Sequence, residues 1–106
     1  LHSLNEKAMK NILTVPKNAI VKQYKKLFLM EGVELEFDPF ALDEIVKLAM
    51  LKKTGARGLR SIVEDIMLDI MYDIPDKKDI EKCIITKDVV AERAEPIYLK
   101  KGKKSA

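Results

Sequence analysis

The sequence is poor in the residues on which most catalytic and metal sites depend. It has one cysteine, Cys83, one histidine, His2, and no tryptophan. One cysteine cannot form an internal disulfide, and together with one histidine it supplies too few ligands for a zinc site. Ser/His/Asp and Cys/His sets are excluded too, because the histidine lies near a terminus and the cysteine in an expected strand. We therefore expect no catalytic residue and no metal site.

Other absences bear on location and on ligands. No run approaches the roughly 18–20 apolar residues of a membrane span, so we expect no membrane partner. The single cysteine is typical of a reducing compartment, and we expect a cytoplasmic protein. The four glycines are scattered, and none belongs to a GxxxxGK[ST] phosphate-binding loop. Because the chain begins with Leu1 rather than Met, we expect it to be a piece of something longer.

The charge is nearly balanced. The 20 basic and 17 acidic residues give a net charge of +3. The two signs alternate along the chain and few aromatic side chains accompany them, so we expect no nucleic-acid partner. Much of the excess falls in residues 100–106, a lysine-rich tail that we expect to be solvated. A length of 106 residues with 47% hydrophobic and 35% charged residues indicates one ordinary globular domain.

The longest regular pattern runs from Leu59 to Ile74. Its apolar residues recur every three or four positions, which predicts one helix with a broad buried face. Pro75 should end this helix, and Thr54 is its predicted N-cap, with Gly55 free to take the turn. We expect this helix to form the core of the domain. The apolar positions are Leu59, Ile62, Val63, Ile66, Met67, Ile70, Met71 and Ile74.

The remaining patterns predict shorter helices and three short strands, hence an α+β fold with a helical layer against a small sheet. The helices are residues 3–13 with Ser3 as cap, 16–30, 39–52 with Asp38 as cap, and the single turn 87–92 with Thr86 as cap. The strands are residues 33–37, 83–85 and 96–99, with a charged loop at 76–82. The inward residues are Ile20, Tyr24, Leu27 and Phe28 on the second helix and Leu42, Ile45, Val46, Ala49 and Met50 on the third.

Two arginines lie at the start of the long apolar pattern, Arg57 just before Leu59 and Arg60 just after it. Arg57 and Arg60 share with Glu64 a flank roughly 100° or more from the middle of the apolar stripe. Free backbone N–H groups and the helix dipole already make that end positive, so two cations there indicate an anionic ligand such as phosphate. Alternatively, Arg60 and Glu64 form an exposed pair of about 0.3 kcal/mol and Arg57 is merely solvated. The spacing alone favours the second interpretation.

Leu68 and Tyr72 lie on the side of the same helix that faces away from the stripe. Single exposed apolar residues are normal on protein surfaces. Two on one outer face are equally consistent with contact to a neighbouring domain.

The segment GARGLRSIVE, Gly55–Glu64, together with the ending MYDIP, resembles the sensor-2 helix of the ClpX family. These are AAA+ protein unfoldases that feed the ClpP peptidase. The segment PKNAIVKQYKKLF, Pro16–Phe28, resembles the small domain of the same family, in the same order and at the expected separation. The GAR motif alone occurs in other AAA+ proteins, but the combination covers most of residues 10–99. The resemblance implies a helical AAA+ small (lid) domain with a small three-stranded sheet.

The resemblance also implies roles for individual residues. Arg57 matches the sensor-2 arginine, which reaches the phosphates of ATP at the junction with a large ATPase domain. Arg60 would support it, and Gly55 and Gly58 would form the backbone of the motif. ATP and Mg²⁺ would be bound through the large domain, which is missing here, so this fragment is not expected to hydrolyse ATP.

The implied partners are the large ATPase domains of the same chain and of the neighbouring subunit in a homohexamer. The full-length protein would bind the ClpP peptidase and unfolded or tagged protein substrates. The implied boundaries are residues 1–14 for a helix near the connection to the large domain, 15–99 for the small domain and 100–106 for a flexible basic tail.

Two alternatives remain open at this point. The first is the small domain of another peptidase-linked unfoldase of the HslU type, although Gly58 and the MYDIP ending favour ClpX. The second is a free-standing basic interaction module, which the lysine tail supports.

Overall fold

The structure, a computed structural model, describes residues 6–17, 19–73 and 79–100. The predicted cap Ser3, the predicted helix stop Pro75 and nearly all of the basic tail lie outside them. The described helices are α1 (Glu6–Thr14), α2 (Ile20–Met30), α3 (Pro39–Lys52), α4 (Gly55–Asp73) and α5 (Lys87–Glu92). The strands are β1 (Glu34–Phe37), β2 (Ile80–Ile85) and β3 (Ile97–Lys100). The α+β class with a small three-stranded sheet is confirmed.

Helix α4 supplies the largest share of the core, as its spacing predicted. Its apolar stripe is buried from Leu59 to Ile70, with Met71 partly buried, and it packs against α1, α2 and α3. Every element on which α4 packs therefore depends on the same continuous apolar surface. The buried residues of the helix are Gly58, Leu59, Ile62, Val63, Ile66, Met67 and Ile70.

The sheet has the order β1-β2-β3, with β1 parallel and β3 antiparallel to β2. Parallel neighbours need a long crossover, and α3 with α4 provides it between β1 and β2. Leu35 lies opposite Cys83, and Phe37 lies opposite Ile85. All four side chains are buried, which joins the sheet to the helical core.

Local capping chemistry sets several boundaries as predicted. The Asp38 carboxylate accepts a hydrogen bond from Phe40 N at 2.8 Å, with Pro39 in the first helical position. The Thr86 hydroxyl accepts from Val89 N at 3.4 Å at the start of α5. Gly32 has φ 78°, the left-handed conformation that ends α2 and that glycine adopts without strain.

Two predicted boundaries were wrong by three residues or more. Helix α2 begins at Ile20 rather than Pro16, because a turn with Ala19 N donating to Pro16 O at 3.0 Å precedes it. Strand β2 begins at Ile80, inside the predicted charged loop, and Ile80 is buried. A register irregularity between Ile80 and Lys82 breaks the period-two alternation, so the sequence pattern does not reveal the first half of the strand.

Two predicted inward residues are in fact exposed. Leu27 lies at the edge of the α2 stripe, which includes Val21 instead. Met50 lies beyond the α3 stripe, where Ala41 is buried in its place. Both are side chains at the margin of a helical face, where the spacing rule discriminates poorly.

Helix α1 belongs to the same core as the other elements. Its residues Met9 and Leu13 are fully buried, while Ile12 is partly exposed. An ion pair of 2.6 Å between Lys10 Nζ and Asp43 also joins α1 to α3. The predicted boundary at residue 14 stays a prediction, but the helix before it packs against α3 and α4.

We predict that Ile66→Ala and Ile70→Ala each lower the free energy of unfolding by about 2–5 kcal/mol. Both isoleucine side chains are buried beneath α4, and truncating either one to alanine leaves a cavity. Urea denaturation monitored by circular dichroism measures this. Leu68→Ala, on the exposed side of the same helix, is the matched control and should change stability by about 0.5 kcal/mol or less. Equal losses at residues 66 and 68 would contradict the assignment of the buried face.

We also predict that stability falls at alkaline pH. Burial raises the pKa of the Cys83 thiol to about 12, and burial together with nearby negative groups raises that of Tyr98 to about 12. In the unfolded chain these groups ionise near their ordinary pKa values of about 8.5 and 10. Because the folded-state pKa values are higher, the contribution is fully present below about pH 8.5 and is lost as pH rises towards 12.

The measurement is the urea midpoint between pH 7 and pH 11. It should stay level up to about pH 8 and then decline, with a shallower decline in Cys83→Ala between pH 8.5 and 10. A urea midpoint that rises from pH 7 to pH 11 would contradict the predicted loss of stability at alkaline pH.

Candidate functional site

The turn between α3 and α4 fixes where the first turn of α4 points. Lys53 and Gly55 both have left-handed backbones, with φ 56° and 62°. Thr54 precedes α4, and its carbonyl accepts from Gly58 N at 3.4 Å. Its hydroxyl, however, donates to Ala49 O at 3.4 Å, at the end of α3. The predicted N-cap therefore uses its side chain on the preceding helix, because the tight turn brings Ala49 within reach.

Arg57 lies in the first turn of α4 and is exposed, on the side away from the core. Among the residues that the structure describes, none forms a hydrogen bond or ion pair with its guanidinium. Arg60 differs, since its Nε donates to Glu64 Oε2 at 3.1 Å. One of the two arginines is thus committed to a partner on its own helix, and the other is left with its donors available.

An open cleft of about 420 Å³ lies beside Arg57. Two cations and one carboxylate border it, from Lys52, Arg57 and Asp65, and Thr54 and Ser61 add hydroxyls. A guanidinium presents a planar fork of donors that matches phosphate oxygens, and the positive end of α4 adds to the attraction. The complete lining is Lys52, Thr54, Arg57, Gly58, Ser61, Ile62 and Asp65.

The described part of the chain holds no group of three or more His, Cys, Asp and Glu side chains placed to bind a metal ion. Cys83 is buried in β2 and its thiol has a raised pKa, so it is a poor nucleophile. The single histidine, His2, lies outside the described residues. The cationic side chains of Lys52 and Arg57 suit an anion, and the residues that line the cleft offer no nucleophile and general base in contact.

Leu68 and Tyr72 continue the exposed side of α4 on which Arg57 lies. Their side chains are 61% and 85% exposed. At 100° per residue, both fall within roughly 60° of Arg57 around the helix axis. A surface that reaches Arg57 along this side of the helix would therefore also meet these two apolar side chains.

Of the two arginines predicted from the sequence, Arg57 lines the cleft and Arg60 does not, and the sequence offered no reason to name Lys52, which does line it. Lys52 and Lys53 are adjacent, and nothing in their spacing distinguishes them. Lys52 is the last residue of α3, and it lines the cleft together with the first residues of α4, which follow the left-handed turn at Lys53. The motif glycines Gly55 and Gly58 both lie at the cleft end of α4, one in the turn and one in the cleft wall.

In the part of the chain described here, no helix has both the length and the apolar character needed to cross a membrane.

Comparisons with known proteins agree on the family. A family model described as the C-terminal, D2-small domain of ClpB protein matches residues 4–89. Among curated proteins, the chain is similar to the ATP-dependent Clp protease ATP-binding subunit ClpX of Borrelia duttonii (strain Ly) and of Borrelia recurrentis (strain A1). Each is 49% identical over 100 residues, which cover 93% of this chain and 23% of the relative.

These matches favour the ClpX alternative over the HslU type and over a free-standing basic module. The helical domain with its small mixed sheet is the fold expected for such a protein. The chain belongs to the family of C-terminal D2-small domains of ClpB protein, and within it to the ClpX-like AAA+ C-terminal small domains.

Proposed function

We propose that this chain is the small domain of a ClpX-like AAA+ unfoldase, and that Arg57 contacts the phosphates of ATP held by a large ATPase domain. The observation that carries the proposal is the contrast between the two arginines. The Arg57 guanidinium is exposed and has no partner among the described residues, whereas Arg60 is paired with Glu64. An uncommitted guanidinium at the positive end of a helix is suited to a polyanionic ligand.

The large domain is expected outside this chain. The chain spans 23% of the length of the ClpX relatives, whose name describes an ATP-binding subunit. The cleft residues Lys52 and Arg57 fit a phosphate, but the described residues offer no carboxylate cluster for Mg²⁺. The metal ion and most of the nucleotide would accordingly be held by the large domain. By itself this chain would not hydrolyse ATP.

The fold suits a part that moves as one body. The first turn of α4 carries Arg57, and the rest of the same helix is buried against α1, α2 and α3. Because close-packed interiors deform little, a displacement of that first turn moves the whole domain rather than bending it. The presence or loss of the terminal phosphate would in this way change the orientation of the small domain.

In a homohexameric ring, this rotation would act on the large domain of the neighbouring subunit. The exposed Leu68 and Tyr72 are apolar side chains that such a contact would cover. Repeated cycles would pull on unfolded or tagged substrates and pass them to the ClpP peptidase, in a cytoplasmic setting. Arg60 would support the site by shaping the flank of α4 next to Arg57.

We predict that Arg57→Ala in the full-length ATPase weakens the binding of a fluorescent ATP analogue by about 10-fold or more, since hydrogen bonds between charged groups contribute about 1.5–3 kcal/mol. The urea midpoint of the 106-residue chain should be unchanged, because the side chain is exposed and has no partner there. Equilibrium titration followed by fluorescence anisotropy measures the affinity.

Lys47→Ala is the matched control, because Lys47 is an exposed cation on α3 that does not line the cleft. It should leave nucleotide affinity unchanged. Nucleotide affinity that is the same in Arg57→Ala and in the unmodified protein would refute the proposed contact.

A further inference from the structure

Gly58 lies where no side chain fits. It is buried at the end of the first turn of α4 and faces Thr54. A Cβ atom at this position would lie 1.6 Å from Thr54 Oγ1 and 2.5 Å from Thr54 Cβ. Rotation of the Thr54 side chain relieves the first overlap but not the second, because the Cβ of Thr54 is fixed to its backbone. Any side chain at position 58 must therefore displace the backbone of Thr54 or that of the first turn of α4.

Thr54 is itself held by the end of α3. Its N–H donates to Ala49 O at 3.2 Å, and its hydroxyl donates to the same oxygen at 3.4 Å. Ala49 is fully buried in the core. On the other side, Gly58 N donates to Thr54 O at 3.4 Å. Ala49, Thr54 and Gly58 thus form one connected unit, the Thr54 clamp, which joins the core to the first turn of α4.

A glycine inside a helix ordinarily lowers stability, because it loses more backbone freedom on folding than alanine does. A helical glycine therefore calls for a packing reason. At Gly58 the close approach of Thr54 is that reason. The left-handed residues Lys53 and Gly55 on either side of Thr54 make the approach sterically feasible.

We infer that the Thr54 clamp positions Arg57. Arg57 lies between Thr54 and Gly58 in the chain, so the two residues that contact each other bracket the turn that carries the guanidinium. A shift of the Thr54 backbone would move that turn relative to α3, where Lys52 forms the other cationic side of the cleft. Thr54 and Gly58 are positioning residues that act through Arg57, an inference that rests on the proposed nucleotide contact.

The clamp is tested first in the 106-residue chain by urea denaturation. Gly58→Ala should lower the midpoint, although alanine is the better helix former. In the Thr54→Gly background the clashing side chain is absent, so the same Gly58→Ala change should raise the midpoint. A rise in both backgrounds would overturn the clamp, and a fall in both would show that Gly58 is required by some other contact.

Positioning is tested in the full-length ATPase with a fluorescent ATP analogue. Gly58→Ala should weaken binding about tenfold, because small misplacements of a contacting group reduce its effect strongly. In Thr54→Gly/Gly58→Ala the overlap is absent, so binding should match that of Thr54→Gly alone. In an Arg57→Ala background, Gly58→Ala should have no further effect, as expected for two residues that act through one contact.

The outcomes separate the two proposals. If Gly58→Ala lowers the affinity for the ATP analogue equally in the unmodified and in the Arg57→Ala background, the positioning role is overturned, while the Arg57 contact stays in place. Unchanged affinity in Gly58→Ala, with reduced affinity in Arg57→Ala, would do the same. No effect of Arg57→Ala would refute the proposed function, and the positioning role would fall with it. The denaturation experiment would in that case still judge the clamp by itself.

Discussion

The burial of one face of α4 is the constraint on which the rest of the domain depends. The stripe from Leu59 to Ile70 is covered by α1, α2 and α3, and the sheet joins the same core through Leu35, Phe37 and Cys83. The ion pairs contribute much less to stability than this apolar burial does. The Lys82–Glu36 and Arg93–Asp69 pairs, each 2.7 Å long, involve partly or largely exposed side chains, and such pairs contribute little. Apolar burial, rather than surface charge, therefore holds α4 in place.

A helix fixed in this way makes its exposed first turn a rigid support. Arg57 needs no contact of its own to be well placed, because the backbone beneath it is set by the core on one side and by Thr54 on the other. This is the physical basis for assigning binding and stability to different faces of a single helix. The buried face maintains the fold, and the exposed flank remains available for a partner.

Much of this arrangement could be predicted from the sequence. The spacing of apolar residues predicts a long helix, and the residue type at a helix end predicts its cap. The α4 stripe, the Asp38 and Thr86 caps and the exposure of Arg57 all followed from such local rules. The start of β2 did not, because a register irregularity after Ile80 removes the alternation that marks a strand. The contact of Thr54 with Gly58 and the place of Lys52 in the cleft depend on how α3 meets α4, and no local pattern encodes that geometry.

The central claim is that the small domain moves as one body when the nucleotide changes. Spin labels at Lys26→Cys on α2 and Glu92→Cys on α5 of the full-length ATPase test it most directly, because both sites are exposed and the native Cys83 is buried. Double electron–electron resonance should give the same distance between these labels with ATP and with ADP. A label pair from Lys26→Cys to the large domain should change its distance between the two nucleotides. A nucleotide-dependent distance within the small domain, or an unchanged distance between the domains, would contradict the account.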